Sequence, residues 1–162
     1  EACVAFGFNV CVAVRTPPAD PLSGLRYQHG PQSIQAAMTD ADFVVNVLPL
    51  TKDTADILNM RTLSQMRRGS WLVQIGRGEH LVEEDLMTLI ESGHLRGASL
   101  DVFRKEPLPV GHSYWDHPSL RITPHIASSA SAKAIASQLR QTVLEMQAGL
   151  PLSLAVDRAA GY

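Results

Sequence analysis

Five short apolar runs punctuate the chain, and each is cut off by proline, glycine or a charged residue. Phe8 to Val14 ends at Arg15, Phe43 to Leu48 at Pro49, Trp71 to Ile75 at Gly76, Gly97 to Leu100 at Asp101, and Leu120 to Thr123 at Pro124. Runs this short, bounded by turn residues, predict strands buried on both faces. Between them the period lengthens. Glu1 to Phe6 reads as the last turns of a helix, with Gly7 able to take the left-handed C′ position. Short helices are expected over Pro31 to Met38 and Arg61 to Met66. Val82 to Ser92 places Val82, Leu86, Leu89 and Ile90 on one face and crowds its acids into the first turn, where the helix dipole favours them. The longest helix is expected over Ser131 to Gly149, with Ile135, Leu139, Val143 and Met146 at core spacing. Ala19 to Gly30 reads as a polar loop, Thr51 to Asn59 as a loop with room for one helical turn, and the tail from Leu150 to Tyr162 has no period. Strands alternating with helices imply an α/β fold with a doubly wound, mainly parallel sheet covered on both faces.

Composition narrows this picture only a little. The 162 residues are 45% hydrophobic and 19% charged, with a formal charge of -2, enough for one globular domain and no argument for a nucleic-acid surface. No apolar run is long enough to span a membrane. Cys3 and Cys11 show no metal spacing and read as buried thiols of a reducing, cytoplasmic compartment. The first residue is not Met and the chain opens inside a helix-like run, so it is expected to be the back part of a longer protein.

In open α/β sheets ligands bind beyond the carboxyl ends of the strands. Four side chains with useful chemistry fall there. Arg77 lies between two glycines after the third run, and its planar fork suits a carboxylate. Asp101 follows the fourth run, Glu106 lies in the loop beyond it, and His125 follows the fifth behind Pro124. A carboxylate beside an imidazole makes a proton donor that works near neutral pH. Singly, each has a bland reading as a loop acid, a cap or a surface arginine; their shared edge favours a site. The other five histidines, His29, His80, His94, His112 and His117, read as solvated loop residues, and no pair has the helical spacing of a zinc site. Trp115 could plug the core or wall the site. Gly76-Arg77-Gly78 does not extend to a dinucleotide fingerprint, and no G-x-G-x-x-G occurs in the chain. Arg15, at the end of the first run, reads either as a solvated arginine or as standing where an arginine accommodates a 2′-phosphate in dinucleotide folds; Thr16 adds a hydroxyl, while Pro17 and Pro18 supply no second positive charge.

Several blocks carry a resemblance: Val45-Asn-Val-Leu-Pro-Leu-Thr, Ile75-Gly-Arg-Gly, Leu100-Asp-Val-Phe-Arg-Lys-Glu-Pro-Leu-Pro and Ile122-Thr-Pro-His-Ile-Ala. In this order they resemble the D-isomer-specific 2-hydroxyacid dehydrogenases, in their cofactor-binding domain. Arg15-Thr16 and the ending Val156-Asp-Arg-Ala-Ala-Gly-Tyr look most like the glyoxylate/hydroxypyruvate reductase A branch. The resemblance implies a Rossmann-like domain over 1–149 whose first βα unit, with its glycine-rich loop, is absent from the chain. It implies a tail over 150–162 that returns towards a missing substrate domain. It implies reduction of a small 2-oxo acid, with NADPH preferred and NADH possible, by an intact protein that is usually a homodimer; the chain alone should be inactive. Arg77 would grip the carboxylate and polarise the carbonyl. His125 would donate the proton, and Glu106 would hydrogen-bond it and keep it protonated. Asp101 would hold the nicotinamide carboxamide, while Leu48, Pro49, Ile75 and Gly76 line the cofactor. The alternatives are a non-catalytic nucleotide-sensing or partner-binding module, for which a proton donor is unnecessary, and another Rossmann-type enzyme such as a methyltransferase, which would not explain an arginine, a glutamate and a histidine at strand ends.

Overall fold

The computed structural model describes residues 2–156. The chain runs α1 (Ala2–Ala5), β1 (Val10–Val14), β2 (Leu25–His29), α2 (Ser33–Met38), β3 (Phe43–Asn46), α3 (Met60–Leu63), β4 (Trp71–Gln74), a 3₁₀ turn (Gly78–His80), α4 (Glu83–Glu91), β5 (Gly97–Leu100), β6 (Leu120–Ile122) and α5 (Ala132–Gln147). All strand pairs are parallel. β1 pairs with β2, and a second sheet has the order β3-β4-β5-β6. These are the two flanks of a doubly wound, Rossmann-like sheet. Phe8 meets Phe43 edge to face, with ring centroids 6.4 Å apart, between the two.

The core lies between the larger sheet and the helices α3 and α4. Leu63, Met66, Leu72, Leu86, Leu95 and Leu100 are fully buried there. α4 buries Leu86, Leu89 and Ile90 and keeps Glu83, Glu84 and Asp85 in its first turn, as the sequence predicts. Each of those three apolar side chains contributes about 1.5–3 kcal/mol by leaving water. Gly93, with φ +69°, turns the chain after α4. At Gly97 a Cβ would overlap the Ser119 carbonyl and the Trp71 ring, so only glycine lets β5 pack against β4 and the 119 loop here.

Four expectations are corrected. The polar loop over Ala19 to Gly30 contains β2, registered Val10↔Leu25 to Val14↔His29. It is an edge strand, so Arg26, Gln28 and His29 need not be apolar. The run from Phe43 is not buried throughout: Asn46 is, whereas Phe43, Val45 and Val47 are exposed. Phe43 and Val45 share the more open face of the sheet, where their register partners Trp71 and Val73 on β4 are also only half-buried. On α5, Leu139 is 62% exposed and Met146 65%, with Ile135 and Val143 also open. Helical spacing shows which residues share a face, not what covers it. Finally, Cys3 is exposed and Cys11 half-buried, both as free thiols. α1 is too short to bury any residue. The ending from Asp157 to Tyr162 lies outside the described residues.

Candidate active site

Three strand ends converge on one open cavity of about 190 Å³, lined by Arg77, Gly78, Phe103, Arg104, Glu106 and His125 among others. It is smaller than the ~300–1,000 Å³ of drug-sized pockets and suits a small molecule.

The β6 end supplies the imidazole. Pro124 biases Thr123 to extended backbone, and His125 then turns into the left-handed region, with φ +55°. Asp101, buried at the end of β5, holds that turn. Its Oδ1 accepts from the Thr123 hydroxyl (2.5 Å) and the Ile126 amide (2.9 Å), and its Oδ2 from the Ala127 amide (2.9 Å). Burial pushes the Asp101 carboxyl up, and these three hydrogen bonds outweigh it, holding the group below its usual range.

Glu106 sits across from His125. Its Oε2 lies 2.7 Å from His125 Nδ1, and its Oε1 accepts from the Phe103 amide at 2.9 Å. A carboxylate can only accept, so Nδ1 carries the hydrogen and Nε2 is left for a second partner. The bond from His125 holds the Glu106 carboxyl below its ordinary value, against the effect of burial. Both side chains remain partly open, 49% for His125 and 35% for Glu106, so solvent reaches the pair.

Arg77 comes from the turn after β4. Its guanidinium donates back to the Gly76 carbonyl (2.8 Å) and stays exposed at the cavity. The turn approaches the β5 loop so closely that a Cβ on Gly78 would overlap the Phe103 carbonyl and the Arg104 amide. Gly78 therefore sets the spacing between the guanidinium and the Glu106–His125 pair. Gly78→Ala should destabilise the chain by about 1–3 kcal/mol, because backbone on both sides must shift. Urea unfolding checks this, and an unchanged midpoint would contradict the contact.

The sequence reading missed a layer beneath the Arg77 turn. Asn46 and Gln74, the last residues of β3 and β4, are register partners, and both are buried. Asn46 Nδ2 donates to Gln74 Oε1 (2.7 Å) and to His80 Nδ1 (2.9 Å). Gln74 Nε2 donates to the Arg77 carbonyl (2.8 Å). The Arg77 amide donates to His80 Nδ1 (3.2 Å), and His80 Nε2 donates to the Pro49 carbonyl (3.3 Å). His80 is thus no solvated loop residue, as expected, but fully buried. Burial lowers its pKa, opposed by the Pro49 bond and by Glu79. The sequence did hold a signal: both strands end on an amide after apolar residues. Of the other four histidines, His29 is exposed and the rest are half-buried.

Arg104 was also not singled out. Its Nε donates to the Leu81 carbonyl (2.7 Å), and its Nη2 reaches both Asp56 and the Glu79 carbonyl, tying three loops together. Trp115 neither plugs the core nor lines this cavity; it is exposed and donates to the Pro109 carbonyl. Arg15 and Thr16 stand exposed past β1, in the smaller sheet, and do not line the cavity. Leu48 and Pro49 follow β3, where Asn46 Oδ1 accepts from the Leu48 amide and the Thr54 hydroxyl donates to the Pro49 carbonyl. Ile75 is half-buried and Gly76 buried.

Residues 1–127 match the model of the D-isomer specific 2-hydroxyacid dehydrogenase family, NAD binding domain. The chain belongs to that family. It is 39% identical over its whole length to glyoxylate/hydroxypyruvate reductase A of Serratia proteamaculans (strain 568), covering 51% of that protein. Among solved structures it is similar to an NADPH-dependent glyoxylate/hydroxypyruvate reductase from Sinorhizobium meliloti in complex with NADP and sulfate. The TM-score is 0.90 at 34% identity, over 99% of this chain and 52% of that one. A D-isomer specific 2-hydroxyacid dehydrogenase from Xanthobacter autotrophicus Py2, in complex with NADPH and MES, gives a TM-score of 0.89 at 36% identity, over 96% of this chain and 64% of that one. The chain spans about half the length of the curated relatives it matches.

Proposed function

We propose that this chain is the cofactor-binding half of an NADPH-dependent reductase of small 2-oxo acids, glyoxylate or hydroxypyruvate in type. The observation that carries the reading is the Glu106–His125 pair at 2.7 Å, on the rim of the cavity that Arg77 also lines. Sensing a nucleotide needs no such proton donor. The similar reductases named above supply the substrate class and the nucleotide.

The residues present fit a dinucleotide. Val47 and Pro49 form an exposed, largely apolar ledge past β3, with Leu48 half-buried beside them, suited to ring faces. Past β4, half-buried Ile75 adds an apolar side chain beside the backbone of Gly76. Arg15 and Thr16 past β1 offer a cation and a hydroxyl for a 2′-phosphate. Asp101 has four lone-pair sites and spends three on its own chain, so Oδ2 retains one for a carboxamide N–H. When bound, the reduced nicotinamide supplies the hydride to the carbonyl carbon.

The chain's own side chains do the rest. The Arg77 fork takes the substrate carboxylate and sets a cation beside the carbonyl, where negative charge develops. The His125 imidazolium gives its Nε2 proton to the carbonyl oxygen as the hydride arrives, leaving a hydroxyl and a neutral imidazole. Glu106 keeps the Nδ1–H bond throughout, so the ring does not rotate between the two states. A cytoplasmic homodimer belongs to the same reading; the free thiols Cys3 and Cys11 fit a reducing compartment, and among the described residues no helix is long and apolar enough to cross a membrane.

Loss of NADPH absorbance on adding glyoxylate to the intact protein tests this. Consumption matched by 2-hydroxy acid is expected; binding of NADPH without turnover would overturn the reading. The pH profile tests the pair separately. Glu106 is held below its ordinary carboxyl value by His125, so it stays ionised as pH falls to that range and is protonated only below it. Wild type should therefore show an acid limb at low pH. Glu106→Gln should lack that limb and turn over on the order of 10²-fold more slowly. Superimposable profiles would contradict the pairing.

A further inference from the structure

The Arg77 turn and the Pro49 loop come from different strands, yet one side chain touches both. His80 Nδ1 accepts from the Arg77 amide at 3.2 Å and from Asn46 Nδ2 at 2.9 Å, while its Nε2 faces the Pro49 carbonyl at 3.3 Å. A carbonyl only accepts, so Nε2 carries the hydrogen and Nδ1 is a bare acceptor with two donors. The imidazole is fully buried and neutral in this arrangement, and none of its polar atoms is left over. Its fit is tight: a Cβ on Gly76 would come within 2.9 Å of both Asn46 Nδ2 and His80 Nδ1. The lower network has no slack either. Asn46 also holds the Leu48 amide, and Gln74 holds the Gly76 amide and the Arg77 carbonyl.

We propose that His80 is a positioning residue, latching the turn that presents the Arg77 guanidinium to the loop that carries Leu48 and Pro49. It touches neither substrate nor cofactor. It sets where the anion grip stands relative to the cofactor ledge, so its two nitrogens have separable consequences. Nδ1 governs the Arg77 turn, and Nε2 governs the Pro49 loop. The kinetic consequence rests on the reductase reading; the latch itself does not.

Two substitutions separate the nitrogens. Asparagine puts an oxygen where Nδ1 stands and has nothing at Nε2. Glutamine puts an amide near Nε2 and has no acceptor at Nδ1. A side chain that merely filled space would make His80→Gln the milder change, since glutamine is closer to histidine in size. The latch predicts the reverse for the Arg77 turn. In the intact protein, His80→Gln should raise the KM for glyoxylate about tenfold, the loss expected from one buried hydrogen bond that places a charge. His80→Asn should leave that KM within about threefold and instead weaken NADPH binding.

Hydrogen exchange reads the latch without turnover. The Arg77 amide should stay protected in His80→Asn and lose protection in His80→Gln. A ¹⁵N spectrum of the histidine-labelled wild type should show His80 bare at Nδ1 and protonated at Nε2 near neutral pH. A protonated Nδ1, equal exchange in the two variants, or a smaller glyoxylate KM effect in His80→Gln than in His80→Asn would each overturn the proposal. Should wild type consume no NADPH, the reductase reading fails, and the exchange and the spectrum still decide the latch.

Discussion

Arg77→Ala should lower kcat/KM for glyoxylate on the order of 10³-fold, about 4 kcal/mol of transition-state stabilisation. Two losses combine there. The guanidinium is the charged donor of the cavity that the substrate carboxylate can meet in a planar fork, because the Nε–Nη2 edge of Arg104 already holds Leu81, Asp56 and Glu79. On the proposed reading the same cation would also face the oxygen on which negative charge grows during hydride transfer. The first loss raises KM and the second lowers kcat, so both should move. Arg77→Lys returns the charge without the fork and should recover only part of the rate. NADPH binding should be nearly unaffected, since the Arg77 guanidinium hydrogen-bonds within its own turn, to the Gly76 carbonyl. Steady-state kinetics with fluorescence titration of NADPH check this; a variant with unchanged KM and kcat would remove Arg77 from the site.

His125→Gln should lower kcat by about 10²–10⁴-fold, the usual contribution of a positioned general acid, with KM changed little. Glutamine keeps a hydrogen bond to Glu106 and supplies no proton of suitable acidity. The fold should survive the change. His125 is half exposed, and its turn is fixed by Asp101 through the backbone of Ile126 and Ala127 rather than by the ring. Its left-handed φ suits histidine better than a bulky β-branched residue, so glutamine is a fairer probe than valine. A variant retaining the wild-type rate would mean that water or another group protonates the carbonyl.

Much of this site could be read from the residues before the fold was seen. Arg77, Asp101, Glu106 and His125 each follow a short apolar run, and the carboxyl ends of parallel strands necessarily share an edge. What the pattern could not show is pairing between layers. His80 differs from its loop neighbours only by what lies above it, namely the ends of β3 and β4, so no local period marks it as buried. β2 escaped because an edge strand carries polar side chains on its open side, and Leu25 to His29 looks like a loop when read alone. The apolar stripe on α5 was legible as a stripe and misplaced as core, because periodicity fixes a face and leaves its partner unspecified. Arg15 is the converse case: it stands at its strand end as expected and does not line the cavity, so any part it plays would be in holding the cofactor rather than in the chemistry.

The central claim is that Glu106 and His125 act as one proton donor. A double-mutant cycle in kcat measures it directly, with Glu106→Gln, His125→Gln and both together in the intact protein. Groups that work as a unit are not additive, so the double variant should be no slower than His125→Gln alone. Losses that multiply, as for two independent groups, would contradict the account.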